Sequence, residues 1–450
     1  MTGRDADGEA EQANGDRGDP CGAVGGVAAM QARRAALLGP AYRLFYDRPL
    51  HLVRGDGVWL FDAQGAAYLD GYNNVASVGH CHPHVVSAIA AQAGRLATHT
   101  RYLHDGPLDL AARLLDSLPE PLGHMMFTCT GSEANDLAFR IAQSATGGRG
   151  VVVTQTAYHG VTEAAAAFSP ALRLPGGLPA HVRVVPAPLD GPDPAGRFAA
   201  DVAAAFADLG RAGVGPAMFL CDSIFASDGV VDGPPGLLRG AAEAARAVGA
   251  LYVADEVQAG FGRTGEGMWG FTRHGVQPDI VTMGKPMGNG YPVAGLAVRP
   301  EHIARFGRDV RYFNTFGGNP VAMAAAGAVL DVIAREELIA NAAATGAHLR
   351  ARLRDVQAGH PVLGAVRGAG LFAGVDVVTP DGSARPDPQN AAAIVNAMRA
   401  SGVLISTSGL DGNVLKIRPP LVFRPEHADR LVAALEQALH GGTRGHGTPE

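Results

Sequence analysis

The 450-residue chain predicts an α/β fold, a mostly parallel sheet covered by helices on both faces and followed by a smaller α/β unit. Three observations lead there. The length exceeds the size at which one hydrophobic core stops growing, so two packed units are expected. Apolar β-rich runs alternate with helical stretches over residues 82–321, and from about residue 320 the texture shifts to long helices with short strands.

Taken in order, residues 1–30 are rich in Gly, Asp, Glu and Ala and lack the apolar core of a signal peptide. They are expected to form a disordered tail. Residues 31–81 are expected to pack with the small domain. Within them, residues 54–69 alternate apolar and polar side chains across a Gly-bearing turn and read as a hairpin. The large domain, 82–321, is expected to hold strands at 124–128, 150–154, 217–221, 251–254 and 279–282, with a helix over 236–248. The helix at 320–335 opens the small domain, 322–442. Its further elements are a helix at 341–357, strands at 362–366, 371–377, 403–406 and 414–417, and a closing amphipathic helix at 426–439. Residues 443–450 are expected to form a second disordered tail. No internal repeat or long linker interrupts the chain.

Apolar residues make up 47% of the chain and charged residues 18%, as in an ordinary globular enzyme. A net charge of −6 argues against nucleic acid as the main partner. No apolar window is long enough for a membrane span. Cys21, Cys81, Cys129 and Cys221 are widely spaced, so neither a disulfide framework nor a metal site is suggested, and a reducing cytoplasm fits best. Of the 37 basic residues only Lys285 and Lys416 are lysines, a bias that points to a GC-rich genome. Arginine stays protonated and cannot form a Schiff base, so a lysine that persists in such a chain is a candidate for chemistry, though chance persistence is the plain alternative.

Chemistry concentrates in four motifs, each at the end of an expected strand. Thr130-Gly131-Ser132-Glu133-Ala134-Asn135 pairs a glycine that admits close backbone approach with Ser132 as expected N-cap. It is either a plain helix start or an anion cradle for a phosphate monoester. Ala157-Tyr158-His159-Gly160 offers an aromatic ring where α/β sheets bind ligands, or simply a turn. In the run Leu251 to Gln258, Asp255 ends an apolar strand. A carboxylate there either caps a helix or meets a cation such as a pyridinium nitrogen, with Gln258 bonding the ring's phenolic oxygen. Lys285 follows the strand expected at 279–282, flanked by Gly284, Gly288 and Gly290, where a solvated surface lysine fits poorly. Together the four match one cofactor, pyridoxal 5′-phosphate, bound through Lys285 and held at its ring nitrogen by Asp255.

The series GSEAND, YHG, DEVQAGFGRTG, PDIVTMGKPMGNG and FNTFGGNP resembles the class III aminotransferases of pyridoxal-phosphate fold type I over roughly residues 50–439. That resemblance implies a seven-stranded large domain. It also implies a homodimer with active sites at the subunit interface, in which Thr315 reaches the cofactor phosphate of the neighbouring subunit. YNNVASVGHCHP, RYLHD, FGRTGEGMWGF and NVLKIRPPLVF are most similar to the amino-phospholyase branch, which expels phosphate from a phosphorylated amine. ω-Aminotransferases often pair a glutamate with an arginine just before a C-terminal Pro-Pro, a gate that alternates between an amine and an α-carboxylate. The aligned positions here are Ser227 and Lys416. Asp222-Ser223 is a further departure, where most of the family has Glu-Pro or Glu-Ser.

The resemblance therefore implies elimination of phosphate from a phosphorylated primary amine, with Arg101, Lys416 and Arg418 as candidates for its phosphate. By analogy with relatives of this branch in gentamicin- and sisomicin-type biosynthesis, the GC-rich composition adds a phosphorylated aminoglycoside as an expected substrate. The alternatives are an ω-aminotransferase acting on an amino sugar or other primary amine, and a non-catalytic cofactor-binding protein.

Overall fold

The structure, a computed structural model, describes residues 26–73, 75–189 and 191–442. Residues up to His51 form a small unit of their own. Its helix Val27–Leu38 has no buried residue, and the Arg34 guanidinium lies 5.9 Å from the Tyr42 ring. Residues 27–30, placed in the tail by sequence, are instead the first turn of this helix. The rest of that expected tail up to residue 25, and the tail at 443–450, lie outside the described residues. No helix among the described residues is long and apolar enough to cross a membrane.

The remaining chain is built on a seven-stranded sheet. From one edge its strands are His124–Thr128, Ala294–Val298, Ile280–Met283, Leu251–Asp255, Pro216–Asp222, Gly150–Thr154 and Val182–Val185. Five neighbouring strands run parallel, and Ala294–Val298 is antiparallel to both its neighbours. Strands such as Gly150–Thr154 and Leu251–Asp255 are buried at every position, as a sheet covered on both faces requires. Helix Gly131–Thr146 lays Leu137, Ala138, Ile141 and Ala142 into that core against Val151, Val153 and Leu220.

Two smaller sheets complete the molecule. Leu363–Ala369, Phe372–Val377, Val414–Ile417 and Ser406–Ser408 form an antiparallel sheet. Leu52–Asp56, Trp59–Asp62 and Ala67–Asp70 form an antiparallel meander, joined in parallel by Val403–Leu404. The single hairpin expected over residues 54–69 is therefore three strands. Gly57 and Gly65 both hold positive φ, so the chain reverses twice rather than once. The strand expected at 403–406 also divides, because the chain passes from one small sheet to the other at Ile405.

Helix Leu338–Gly359 packs so closely on the turn at Gly370 that a Cβ at Gly346 would sit 1.8 Å from the Gly370 carbonyl oxygen. Alanine is the better helix former by about 1 kcal/mol. Even so, Gly346→Ala should lower the unfolding free energy by about 1–3 kcal/mol, read from urea denaturation. A rise in stability would show that this helix shifts freely on its neighbour.

Candidate active site

The carboxyl ends of the parallel strands converge on a cavity of about 330 Å³. Its wall includes Gly131, Ser132, Tyr158, His159, Asp255, Gln258 and Lys285, so the four sequence motifs meet in one place.

Asp255 is the last residue of its strand and is buried. Burial alone would push its carboxyl up. The His159 hydrogen bond and charge, the Val257 N–H and the Asn135 amide outweigh it and hold the group below the ordinary carboxylate range. His159 Nδ1 lies 2.6 Å and Asn135 Nδ2 2.9 Å from Asp255 Oδ2, and Val257 N donates to Oδ1 at 3.0 Å. Because the carboxylate is ionised, His159 Nδ1 carries the proton it shares. Asn135 is itself fixed, donating to the His159 carbonyl at 2.8 Å and accepting from Thr282 Oγ1 at 2.7 Å.

Lys285 begins the short turn after strand Ile280–Met283 and holds φ 32°. A left-handed conformation costs a non-glycine residue about 1–3 kcal/mol and persists only where the surroundings impose it. Here the next turn is anchored by Asn289, whose side chain accepts from Val78 N at 3.0 Å and donates to the Gly79 carbonyl at 2.8 Å. Burial and then repulsion by Arg418 push the Lys285 ammonium down to about 8, against the pull of Asp255 and Asp222. Its amine is therefore available near neutral pH.

At the start of helix Gly131–Thr146 the cap is Thr130 rather than Ser132. Thr130 Oγ1 accepts from Glu133 N at 3.1 Å, and the Glu133 carboxylate accepts from Thr130 N at 2.9 Å. That capping box places Ser132 at the second position of the first turn, where its Oγ accepts from Val161 N at 3.1 Å. Thr130, Gly131 and Ser132 all line the cavity, so the N–H groups and positive end of the helix face it.

Gln258 lines the cavity with a fixed orientation. Its Oε1 accepts a hydrogen bond from Arg418 Nη1. Since a guanidinium only donates, the oxygen of the amide must face it and the NH₂ must face elsewhere. Arg418 is held in turn by donating to the Tyr72 carbonyl at 3.0 Å and by lying 4.6 Å from the Tyr72 ring. It is absent from the cavity wall, where it was expected to contact the substrate's phosphate. Arg101 is likewise outside the wall of its own chain's cavity, exposed and stacked 3.8 Å from the centre of the Phe313 ring. Thr315 is exposed and outside it as well. Lys416 lies buried in an adjoining pocket, donating to the Ala226 carbonyl at 2.6 Å.

Sequence reasoning singled out neither Asn135 nor Asp222 as a site residue, and both line the cavity. Asn135 lies four residues after Gly131, on the same helix face, and a polar residue in that otherwise apolar stripe was the available signal. Asp222 ends its strand beside Asp255 in register. Burial pushes it up to about 6, against the N–H groups of Ile224 and Ala226.

This donor set fits pyridoxal phosphate: an amine for the carbonyl, an ionised carboxylate for the ring nitrogen, a helix N-terminus for the phosphate and an amide donor for the phenolic oxygen.

A family model described as aminotransferase class-III matches residues 45–439. The chain is 39% identical over 423 residues to alanine–glyoxylate aminotransferase 2-like of Drosophila melanogaster, covering 89% of this chain and 85% of that one. It is 37% identical over 431 residues to ethanolamine-phosphate phospho-lyase homolog 1 of Caenorhabditis elegans, covering 90% and 92%. Among solved structures it superposes on a phospholyase from Arthrobacter in complex with phosphoethanolamine, with a TM-score of 0.89 and 46% identity over 91% of this chain and 99% of that one.

Two outcomes are expected from the site. Apoprotein mixed with pyridoxal phosphate should capture it covalently faster as pH rises through about 8, where the Lys285 ammonium loses its proton, and then level off. A rate independent of pH across this range would contradict the assignment of Lys285. Arg418→Met should free the Gln258 amide and weaken cofactor binding on the order of tenfold, measured by equilibrium dialysis. Unchanged affinity would mean that the amide is held without it.

Proposed function

The chain belongs to the class III aminotransferase family of pyridoxal-phosphate-dependent enzymes, and on that premise we propose that it is a phospholyase, eliminating phosphate from a phosphorylated primary amine. The observation that carries this reading is the pair Ser227 and Lys416, which line one pocket beside the cavity. At the aligned positions ω-aminotransferases often use a glutamate and an arginine that close on each other. Here a hydroxyl replaces the carboxylate, and among the described residues Lys416 has no carboxylate within ion-pair distance. Burial, then Arg418 and Lys285, hold the Lys416 ammonium well below the usual lysine range, and an incoming dianion would favour its charged form. The Arthrobacter phospholyase, solved with phosphoethanolamine, supports the same reading.

Pyridoxal phosphate, when bound, supplies a carbonyl for the substrate amine and a protonated ring that stabilises negative charge on the adjacent carbon. With the cofactor bound, Asp255 would keep the proton on its ring nitrogen, and the Gln258 NH₂, left free by Arg418, would be available to its phenolic oxygen. Lys285 Nζ, free to act as a base near neutral pH, would take the proton from the amine-bearing carbon of the substrate. The C–O bond on the neighbouring carbon breaks, its electron pair departs with phosphate, and a carbon–carbon double bond remains. Hydrolysis of the resulting unsaturated amine yields ammonia and a carbonyl compound. No step needs an α-carboxylate.

We also propose a homodimer. Tyr102, Leu103, Leu108 and Phe316 are 64% or more exposed, while His99 meets Phe313 edge-to-face and Arg101 lies over its ring, close in sequence to Thr315. Such an apolar surface is typical of a subunit interface, where Arg101 and Thr315 would face the partner's site. Cys81, Cys129 and Cys221 are free thiols, which supports a reducing, cytoplasmic setting. The likeness to an alanine–glyoxylate aminotransferase favours transamination of a primary amine as the second reading. None of these relatives is named for an amino-sugar substrate, so an aminoglycoside phosphate rests on the sequence resemblance alone.

Incubated with phosphoethanolamine or an aminoglycoside 3′-phosphate and no keto acid, the holoenzyme should release inorganic phosphate, and Lys285→Ala should release none. Conversion of the cofactor to its pyridoxamine form by unphosphorylated amines, without phosphate, would establish transamination instead.

A further inference from the structure

Asp70 ends strand Ala67–Asp70, is buried, and stands outside the cavity wall. A carboxylate in such a place is costly unless donors surround it, and its two oxygens have separate partners. Oδ1 accepts from Tyr72 N at 3.1 Å and from Asn73 N at 2.8 Å, which closes a tight turn over residues 70–73. Oδ2 meets His80 Nε2 at 2.7 Å.

His80 is itself firmly placed. Its N–H donates to the Gly57 carbonyl at 2.7 Å, and its carbonyl accepts from Gly57 N at 3.1 Å. It packs so closely on Gly55 that a Cβ there would come within 2.8 Å of its own Cβ. The residues just before it are tied to the turn that carries Lys285. Ser77 Oγ donates to the Pro286 carbonyl at 3.1 Å, and Asn289 bonds Val78 and Gly79. Those bonds do not involve Asp70, so loss of the His80–Asp70 contact would free residues 70–73 and leave the Lys285 turn held.

The turn closed by Asp70 presents two carbonyls to Arg418. That of Gly71 accepts from Arg418 N at 2.8 Å, and that of Tyr72 accepts from Nε at 3.0 Å. Nη1 of the same guanidinium donates to Gln258 Oε1. Charge acts along the same line. Burial opposes the charges on Arg418 and Arg263, Arg418 repels Arg263 as well, and Asp70 favours the charged form of each.

We infer that Asp70 and His80 are positioning residues for the cofactor: they fix the turn that holds Arg418, and Arg418 fixes the Gln258 amide with its NH₂ free for the phenolic oxygen. An arginine side chain has many rotamers to lose. Without the Tyr72 carbonyl in place the guanidinium leaves the amide, and the amide turns. The inference needs pyridoxal phosphate as the cofactor and holds equally for elimination and for transamination.

The test titrates the absorbance of the bound cofactor against pH in holoenzyme. An amide donor stabilises negative charge on the phenolic oxygen and so favours the deprotonated form of the bound cofactor. Gln258→Ala should therefore raise the midpoint by about half a pH unit or more. Asp70→Asn and His80→Ala should raise it in the same direction and weaken cofactor binding about tenfold by equilibrium dialysis. His80→Gln, whose NH₂ can stand in for Nε2, should restore the wild-type midpoint. In a Gln258→Ala background neither Asp70→Asn nor His80→Ala should move it further. A direct effect of the lost Asp70 charge has the opposite sign, since removing an anion disfavours the protonated form. Midpoints that are unchanged, lowered, not restored by His80→Gln, or raised as far again in the Gln258→Ala background overturn the inference. Should Asp70→Asn fail to fold, the two His80 variants decide the question.

Discussion

A carboxylate buried at the end of a sheet strand is the constraint around which the site is arranged. Left alone, Asp255 would take up a proton rather than carry a charge without water. It stays ionised because His159, Asn135 and the Val257 N–H donate to it at 2.6, 2.9 and 3.0 Å. Those donors come from the loop after one strand, the first turns of a helix and the residues just beyond Asp255 itself. The assembled parallel sheet therefore supplies the donors that let the buried carboxylate keep its charge. Fold and chemistry meet in that one group, and Thr282 ties a further strand to it through Asn135.

Around this anion the chain buries a dense set of cations. Burial depresses Lys285, Arg418 and Lys416, repulsion by Arg418 lowers both lysines further, and Asp222 favours the charged form of each. Lys285 is thereby pushed down to about 8, while burial, opposed by Lys416, pushes Asp222 up to about 6. The two lysines of an otherwise arginine-only basic complement both stand within this field. An ammonium responds to such surroundings by losing its proton, and a guanidinium does not. Arg418 accordingly serves as a fixed donor that sets the direction of the Gln258 amide.

Much of this was legible from local pattern. The strands Leu251–Asp255 and Ile280–Met283 are apolar runs broken by polar residues, and each delivers its chemical residue at or just past its end. Other elements were hidden for physical reasons. Ala294–Val298 is built of Ala, Gly and Leu as much as Val, a composition with weak strand preference, and it is antiparallel where its neighbours are parallel. Ser132 looked like a cap because serine is a good one. Glu133 favours Thr130 instead by closing a capping box, a pairing that depends on the reach of two side chains. The charge of Arg418 is visible in sequence, but its bond to Gln258, 160 residues away, is not.

The sequence by itself determined the sheet architecture, the location of chemistry at strand ends and the residue types a pyridoxal cofactor needs, since these follow from periodicity and from what each side chain can do. Only the tertiary structure decided which cations face open space and which are spent on protein partners. Arg418 and Lys416, like the neutral amide of Asn135, are each held by atoms contributed by distant segments. Hydrogen bonds and burial are set at a few ångströms in space, and no spacing along the chain encodes them.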